Sequence, residues 1–458
     1  IGVPAEIAAR IHAHREGQGS EFCRKHGLTR LVYAEQYEDI HDAIAREKAM
    51  KRWKRQWKLR LIRRDNPEGG WPLTSSWWVA LAEDQATLET LSRSTEQPWY
   101  RLRNDGREAW TDSHASILPY IDQATQTLNL GDVADTMFAK ADRAVAIACG
   151  TAYYAAHTAK YWFEQKAKLA FETDIASEFR YREPVLPQTG PAMFVSQSGE
   201  TADTLAALRY CRQNCTPAEA VVNVPESSIA REAAAIVPTY AGPEIGVAST
   251  KAFTAQLSVL AVLALNAAKA RGHLLPGDEV MAVKSLMALP RKVTEALEAQ
   301  DDIREIAKTL APSRDVLFLG RGRYYPLALE GALKLKEVSY IHAEGYAAGE
   351  LKHGPIALIE KDLPVVVIAP KDELFEKTIS NVEEIRARGA RVILISDAAG
   401  IKAAGNRADH VICLPDGDDI SLPVLAAVPL QLLAYHVAVA KGTDVDQPRN
   451  LAKSVTVE

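Results

Sequence analysis

From about Leu130 onward the sequence predicts a parallel α/β fold present in two tandem copies. Three observations carry this. Short apolar runs alternate with amphipathic helical stretches, the pattern of parallel sheets flanked by helices. A shift of 172 residues puts Gly150 on Gly322, Tyr153 on Tyr325, Ala176 on Ala348 and Glu178 on Glu350. The same shift lays the strand ending at Val195 over that ending at Val367, and an ungapped register shared by strand, glycine and acid marks a duplicated domain. Within the first copy, Pro191-Ala-Met-Phe-Val195 reads as a buried parallel strand and Ala202 to Arg212 as a helix with leucines at helical spacing.

Before the repeats, the chain has a different character. Residues 1–72 hold 15 Lys/Arg against 10 Asp/Glu in a chain whose net charge is -5, so the remainder carries about -10. Seven of the eight tryptophans precede residue 111, which marks the same boundary. Ala5 to His14 and Asp39 to about Arg64 read as helices, and Leu31-Val-Tyr33 as a strand. The Arg46–Arg60 stretch interleaves bases with Trp53 and Trp57, which suits either a nucleic-acid backbone or a solvated basic face. Residues 73–128 are read as a linker with some helix: Trp71 to Trp78 is turn-like, and Leu81 to Leu91 is a candidate helix. The repeats are expected over residues 129–290 and 291–440, with a C-terminal tail over 441–458.

Composition sets outer bounds. With 458 residues, 47% hydrophobic and 25% charged, the chain is expected to be a soluble globular protein of two or three domains. Its five cysteines lack metal-ligand spacing around His, and Cys211 and Cys215 fall on a predicted helix, so no metal is expected. A reducing, cytoplasmic setting follows. No signal peptide is visible, and the longest apolar run, Leu257 to Ala268, is too short to span a membrane. The chain begins at Ile rather than Met, which suggests a processed or truncated start.

Chemistry concentrates in a few places. Between the strand and the helix lies Ser196-Gln-Ser-Gly-Glu-Thr-Ala-Asp-Thr204. A helix N-terminus with unpaired N–H groups, hydroxyls at Ser196, Ser198, Thr201 and Thr204, and a permissive Gly199 suits an anion such as a sugar phosphate. No Lys follows the glycine, so it is not a nucleotide P-loop. The plainer alternative is a Ser/Thr-rich helix cap. The second copy has Ile368-Ala-Pro-Lys-Asp-Glu at that position, so one cradle is expected. In that copy Lys334 and Glu337 share one helix face, and Glu350-Leu-Lys-His-Gly-Pro355 puts His353 in a turn. A carboxylate, an amine and an imidazole beside a sugar-phosphate site suit proton transfer next to a carbonyl. Taken singly, they also read as a surface ion pair and a loop hydrogen-bonder.

Residues from about 140 to the C-terminus closely resemble the isomerase half of the glucosamine-6-phosphate synthase family (glutamine–fructose-6-phosphate aminotransferase, isomerizing). The carrying segments are Asp174–Glu183, Ser196–Thr204, Glu244–Phe253, Ala328–Glu337, Glu350–Pro355 and Asp446–Glu458. The resemblance implies two sugar-isomerase (SIS) domains of flavodoxin-like topology, no cofactor and a fructose 6-phosphate substrate. Ser196, Gln197, Ser198 and Thr201 would hold its phosphate, and Thr151, Val247, Ser249 and Ala452 would line the sugar. His353 would open the ring from a neighbouring subunit, implying a homodimer with a shared site. Lys453 would form a Schiff base at C2, Glu337 would shuttle a proton between C1 and C2, and Lys334 would steady developing charge. The family's Cys-Gly-Thr-Ser loop reads Cys149-Gly-Thr-Ala152 here, one hydroxyl fewer. The family's glutaminase needs an N-terminal cysteine where this chain has Ile1, so a separate glutaminase or free ammonia is the expected nitrogen source. A rival from another class is a sugar-phosphate sensor with a nucleic-acid-binding N-terminal segment. Retention of Glu337, His353 and Lys453 together argues against it, because a sensor needs only the cradle.

Residues 1–72 resemble a truncated member of the GIY-YIG endonuclease superfamily. The matching residues are Ile1-Gly2, Ala9–His14, Arg30-Leu-Val-Tyr33, Ala45-Arg-Glu-Lys48 and Asp65-Asn-Pro67. That resemblance implies a small α+β remnant in which Arg10 faces the scissile phosphate, Glu47 holds a divalent metal and Asn66 supports the site. The first strand and both signature tyrosines are missing.

Overall fold

In the computed structural model, the described residues are 31–37, 77–82, 115–131, 137–214, 216–244 and 246–456. Two compact units divide at Arg101/Leu102. In the first, β1 (Leu31–Tyr37) pairs antiparallel with β2 (Trp77–Ala82). β1 begins with the predicted strand. β2 corrects the turn expected to end at Trp78 and the helix expected to start at Leu81, because Trp-Trp-Val favours a pleated conformation over the turn residues before it. Arg10, Glu47, Asn66 and both basic helices lie outside the described residues.

In the described part of the second unit, a 3₁₀ turn (Leu118–Tyr120) leads into β3 (Ile121–Asp122) and β4 (Thr127–Leu128), a short antiparallel hairpin. Residues 115–128 were expected to be linker, yet Ile117, Tyr120, Ile121 and Leu128 are buried. Tyr120 Oη donates to the Pro238 carbonyl at 2.6 Å, and the Leu128 amide donates to Glu279 at 2.7 Å. A few apolar anchors too short to show periodicity hold this segment to the domain behind it.

The first repeat comprises β5 (Arg143–Ala148), α1 (Gly150–Lys166), β6 (Ala170–Ile175), α2 (Ala176–Phe179), β7 (Ala192–Ser196), α3 (Ala202–Gln213), β8 (Ala218–Val222), α4 (Ser228–Glu232), β9 (Ala235–Pro238) and α5 (Lys251–Ala270). Helices α6 (Pro276–Leu297) and α7 (Gln300–Leu310) lead to the second. There follow β10 (Asp315–Gly320), α8 (Tyr325–Ser339), β11 (His342–Ala347), β12 (Pro364–Ile368), α9 (Phe375–Arg386), β13 (Arg391–Asp397), α10 (Ala398–Ala404), β14 (His410–Leu414) and α11 (Ser421–Lys441).

Each repeat is a five-stranded, all-parallel sheet, ordered β6-β5-β7-β8-β9 and β11-β10-β12-β13-β14. This is one topology used twice, the flavodoxin-like 2-1-3-4-5 order. The central strands are almost wholly apolar because both faces are covered: every residue of β7, β8 and β12 is buried, with Ser196 and Glu219 the polar exceptions. The repeat extends to backbone angles. Gly150 and Gly322 both leave the first strand at positive φ, +53° and +57°, a conformation that only glycine adopts at little cost.

Equivalent helices join the copies. α1 packs on α5 and α8 packs on α11, while α1 meets α8 and α5 meets α11. Both α5 and α11 are long and apolar enough to cross a membrane, but each is 94% buried inside the protein. This corrects the expectation that no segment reaches such a length. Gln256 bounds the apolar run in sequence, whereas in the helix its side chain is buried at 2% exposure with the apolar residues that follow.

Candidate active site

The hydroxyl-rich turn lies at the C-terminal end of β7, beside the end of β5, where the strand order reverses. Such switch points are where open parallel sheets bind ligands. Gly199 turns the chain at φ +67°, and a Cβ there would come within 1.9 Å of Ser227 Oγ. The Gly199 amide donates to Ser196 Oγ at 3.0 Å, and the Glu200 amide to Ser198 Oγ at 3.1 Å. Glu200 accepts from the Ser228 amide at 2.8 Å, tying the turn to α4. Thr201 is the N-cap of α3 but makes no side-chain cap bond; its hydroxyl lies 3.3 Å from Ser196 Oγ. The turn is therefore more than a Ser/Thr cap: hydroxyls cluster at a helix N-terminus whose first amides they do not cap. Gln197 is half-buried beside them.

Thr151, on the first turn of α1, reaches across to the second repeat. Its hydroxyl donates to Glu330 Oε1 at 3.2 Å. Glu330 lies one turn before Lys334 on α8, at 3.5 Å, and Lys334 Nζ contacts Glu337 Oε2 at 2.5 Å. Far from forming a surface pair, Lys334 is 2% exposed and Glu330 1%, with Glu337 at 20%. Burial pushes the Glu330 carboxyl up to about 8, against the attraction of Lys334. Burial also works against the Lys334 ammonium, but Glu330 and then Glu337 outweigh it and hold that amine above its ordinary value. With Glu330 protonated, one ammonium balances one carboxylate, the arrangement a buried site tolerates best.

The C-terminal tail runs back over this region. The Val247 amide donates to the Asp446 carbonyl at 2.9 Å, and the Ala202 amide to the Val455 carbonyl at 3.0 Å. Ser454 Oγ lies 3.1 Å from Ser198 Oγ, inside the cradle. One residue earlier, Lys453 Nζ donates to the Gly246 carbonyl at 2.7 Å and contacts Glu244 Oε2 at 3.3 Å. Glu244 also accepts from Ser249 Oγ at 3.1 Å and from the Thr250 amide and hydroxyl. Its charge acts on Lys334 as well, which links the tail lysine to the α8 cluster.

The fold thus gathers Thr151, the Ser196–Thr201 turn, Ser249, Lys334, Glu337 and Lys453 at the boundary between the repeats. Val247 contributes its backbone to tail docking, and Ala452 is exposed. His353 is not drawn in: it ends an exposed 3₁₀ turn before Gly354, and its side chain makes no hydrogen bond or ion pair among the described residues. Two carboxylates escaped the sequence reading, Glu330 and Glu244. The first had a signal in its i, i+4 spacing to Lys334. The second carried none beyond being the one acid in Glu244–Phe253. Among the described residues no His, Cys, Asp and Glu group has the arrangement of a metal site.

The SIS-domain family profile matches residues 137–266 and 309–441. A glutamine–fructose-6-phosphate aminotransferase (isomerizing) of Bradyrhizobium diazoefficiens is 59% identical over 343 residues, 75% of this chain and 56% of that protein. The enzyme of the same name from Agrobacterium fabrum is 57% identical over 347 residues, 76% of this chain and 57% of the relative. The chain therefore spans little more than half the length of these relatives. Among solved structures, the C-terminal domain of glucosamine-fructose-6-phosphate aminotransferase from Francisella tularensis is similar at a TM-score of 0.71 and 44% identity, covering 75% of this chain and 97% of that one.

Proposed function

This chain belongs to the SIS-domain family, and from that membership and the cluster at the repeat boundary we propose that it isomerises fructose 6-phosphate and, given ammonia, forms glucosamine 6-phosphate. The observation that carries the reading is the contact between Ser198 and Ser454, which supports a tail that brings its lysine to the hydroxyl cradle. The cradle takes the phosphate through Ser196, Gln197, Ser198, Thr201 and the N-terminus of α3, while Thr151, Val247, Ser249 and Ala452 line the sugar.

His353 opens the ring by moving the anomeric proton. The Lys453 amine adds to the C2 carbonyl, and loss of water gives a protonated imine. Hydrolysis returns the C2 carbonyl and the free amine; Glu337 then takes a proton from C1 and returns one to C2 through an enediol, with the O1 proton passing to O2, and the aldose results. When ammonia replaces Lys453 at C2 before that transfer, the product carries an amino group at C2 and an aldehyde at C1. Lys334 stabilises the negative charge that develops on the enediol oxygen. Ammonia reaches this site from outside the SIS pair, either free or from a glutaminase.

The exposure of His353 supports a site completed by a second copy of the chain, as a homodimer. Cys149, Cys211 and Cys413 are free thiols, which supports action in the reducing cytoplasm. The test is product formation from fructose 6-phosphate with no donor, with ammonium and with glutamine. Glucose 6-phosphate without a donor, or glucosamine 6-phosphate with ammonium, is the expected result. Binding without turnover in all three would overturn it. Glu337→Gln should lower turnover by roughly 10²–10⁴-fold, the usual contribution of a general acid–base group.

A further inference from the structure

We propose that Glu244 is the positioning residue for the tail lysine: it parks the Lys453 nitrogen against the Gly246 carbonyl and fixes the place from which that nitrogen moves to attack. The inference rests on the reading of Lys453 as the Schiff-base amine. The carboxylate is itself 4% exposed and Lys453 29%, so the pair is screened far less than a surface ion pair. One oxygen of Glu244 accepts from Lys453 and Ser249, and the other from the Thr250 amide and hydroxyl. The carboxylate is thus locked to the start of α5, and it fixes where the amine rests.

The same contact opposes chemistry. An amine attacks only with its lone pair free and facing the carbonyl, and here the nitrogen is held by the Gly246 carbonyl at 2.7 Å and Glu244 at 3.3 Å. Attack on the substrate therefore needs the amine to leave Glu244 and the Gly246 carbonyl and turn toward C2. The other charged groups about the pair are Lys334, on which the Glu244 charge also acts, and through it Glu330 and Glu337.

The experiment compares the full chain with Glu244→Gln and Glu244→Ala. Fructose 6-phosphate with borohydride measures trapping of Lys453 by mass, and kcat and KM are followed from pH 6 to 9. Gln has one acceptor oxygen and so can keep either the Thr250 contacts or the hold on Lys453 but not both; its trapping rate and kcat should fall about three- to tenfold while KM stays within about twofold of the parent. Ala frees the tail and should cost at least about tenfold in trapping rate at every pH. Thermal melting of both variants identifies a fold that has simply failed, and the Gln variant carries the test if Ala does not fold. Unchanged trapping and kcat in a folded Gln variant overturn the role of Glu244 alone. Absence of any trapped adduct in the parent chain overturns Lys453 as the Schiff-base amine, and this inference with it.

Discussion

At Glu330 a single carboxyl sets a pH dependence for the whole cluster. Its folded value is about 8, against an ordinary value near ~4.3. Between those limits the folded chain binds a proton that the unfolded chain does not, so this group's contribution is intact at low pH and is lost as pH rises toward 8. Glu330→Gln keeps the shape without the ionisation. Its melting temperature should therefore gain on the parent's between pH 5 and pH 8; a constant difference across that range would refute a protonated Glu330. Its second oxygen is buried without a partner, which is tolerable for a neutral acid and costly for an anion. Gly199 makes a steric prediction of the same kind. An alanine there must hold φ +67° with its Cβ 1.9 Å from Ser227 Oγ, and the left-handed angle alone costs roughly 1–2 kcal/mol. Gly199→Ala should raise KM for fructose 6-phosphate at least about tenfold while leaving the secondary structure content unchanged.

The C-terminal tail is the element on which these residues converge, and one acid at its base governs its hold. Burial, followed by the charge of Asp444, pushes Asp446 up to about 6. The docked tail thus prefers a protonated Asp446, and its hold weakens as pH rises through 6. Asp446→Asn should remove that dependence, giving residues 446–456 slower amide hydrogen exchange than the parent at pH 7.5 and equal exchange at pH 3.5, below the ordinary carboxylate value. Equal exchange at both would exclude the acid as a determinant of docking. Elements differ in how far the sequence discloses them. Strands β5, β7, β10 and β12 were legible because burial on both faces leaves them almost purely apolar. The hairpin of β3 and β4 was not, since two residues per strand show no period. Nor was the setting of Lys334, because an i, i+3 Lys–Glu pair has the same spacing on a surface and in a core. The resemblance named Lys453 and Glu337 as partners, while the geometry adds Glu244 and Glu330, whose roles depend on contacts between segments far apart in the chain.

Across the whole molecule, duplication has produced two equal sheets and one site. Each repeat keeps the strand order and the positive-φ glycine after its first strand, but only the first follows its third strand with a hydroxyl turn. The second has Ile368-Ala-Pro-Lys in that place and supplies α8 with its buried lysine. Calorimetric titration should accordingly give one fructose 6-phosphate per chain; two equivalent sites would contradict this division of labour. His353 remains apart from the cluster, exposed on the second repeat, and that position yields the sharper test. If its imidazole serves the site of a second copy, a His353→Ala chain and a Lys453→Ala chain are each inactive alone. In a hybrid dimer, however, one of the two sites would contain both groups. An equal mixture that exchanges subunits should then regain about a quarter of the parent activity, because half the dimers are hybrids and each has one complete site. No recovery after exchange, with hybrid dimers demonstrated by tagging, would mean that each chain completes its own site and that His353 acts within it.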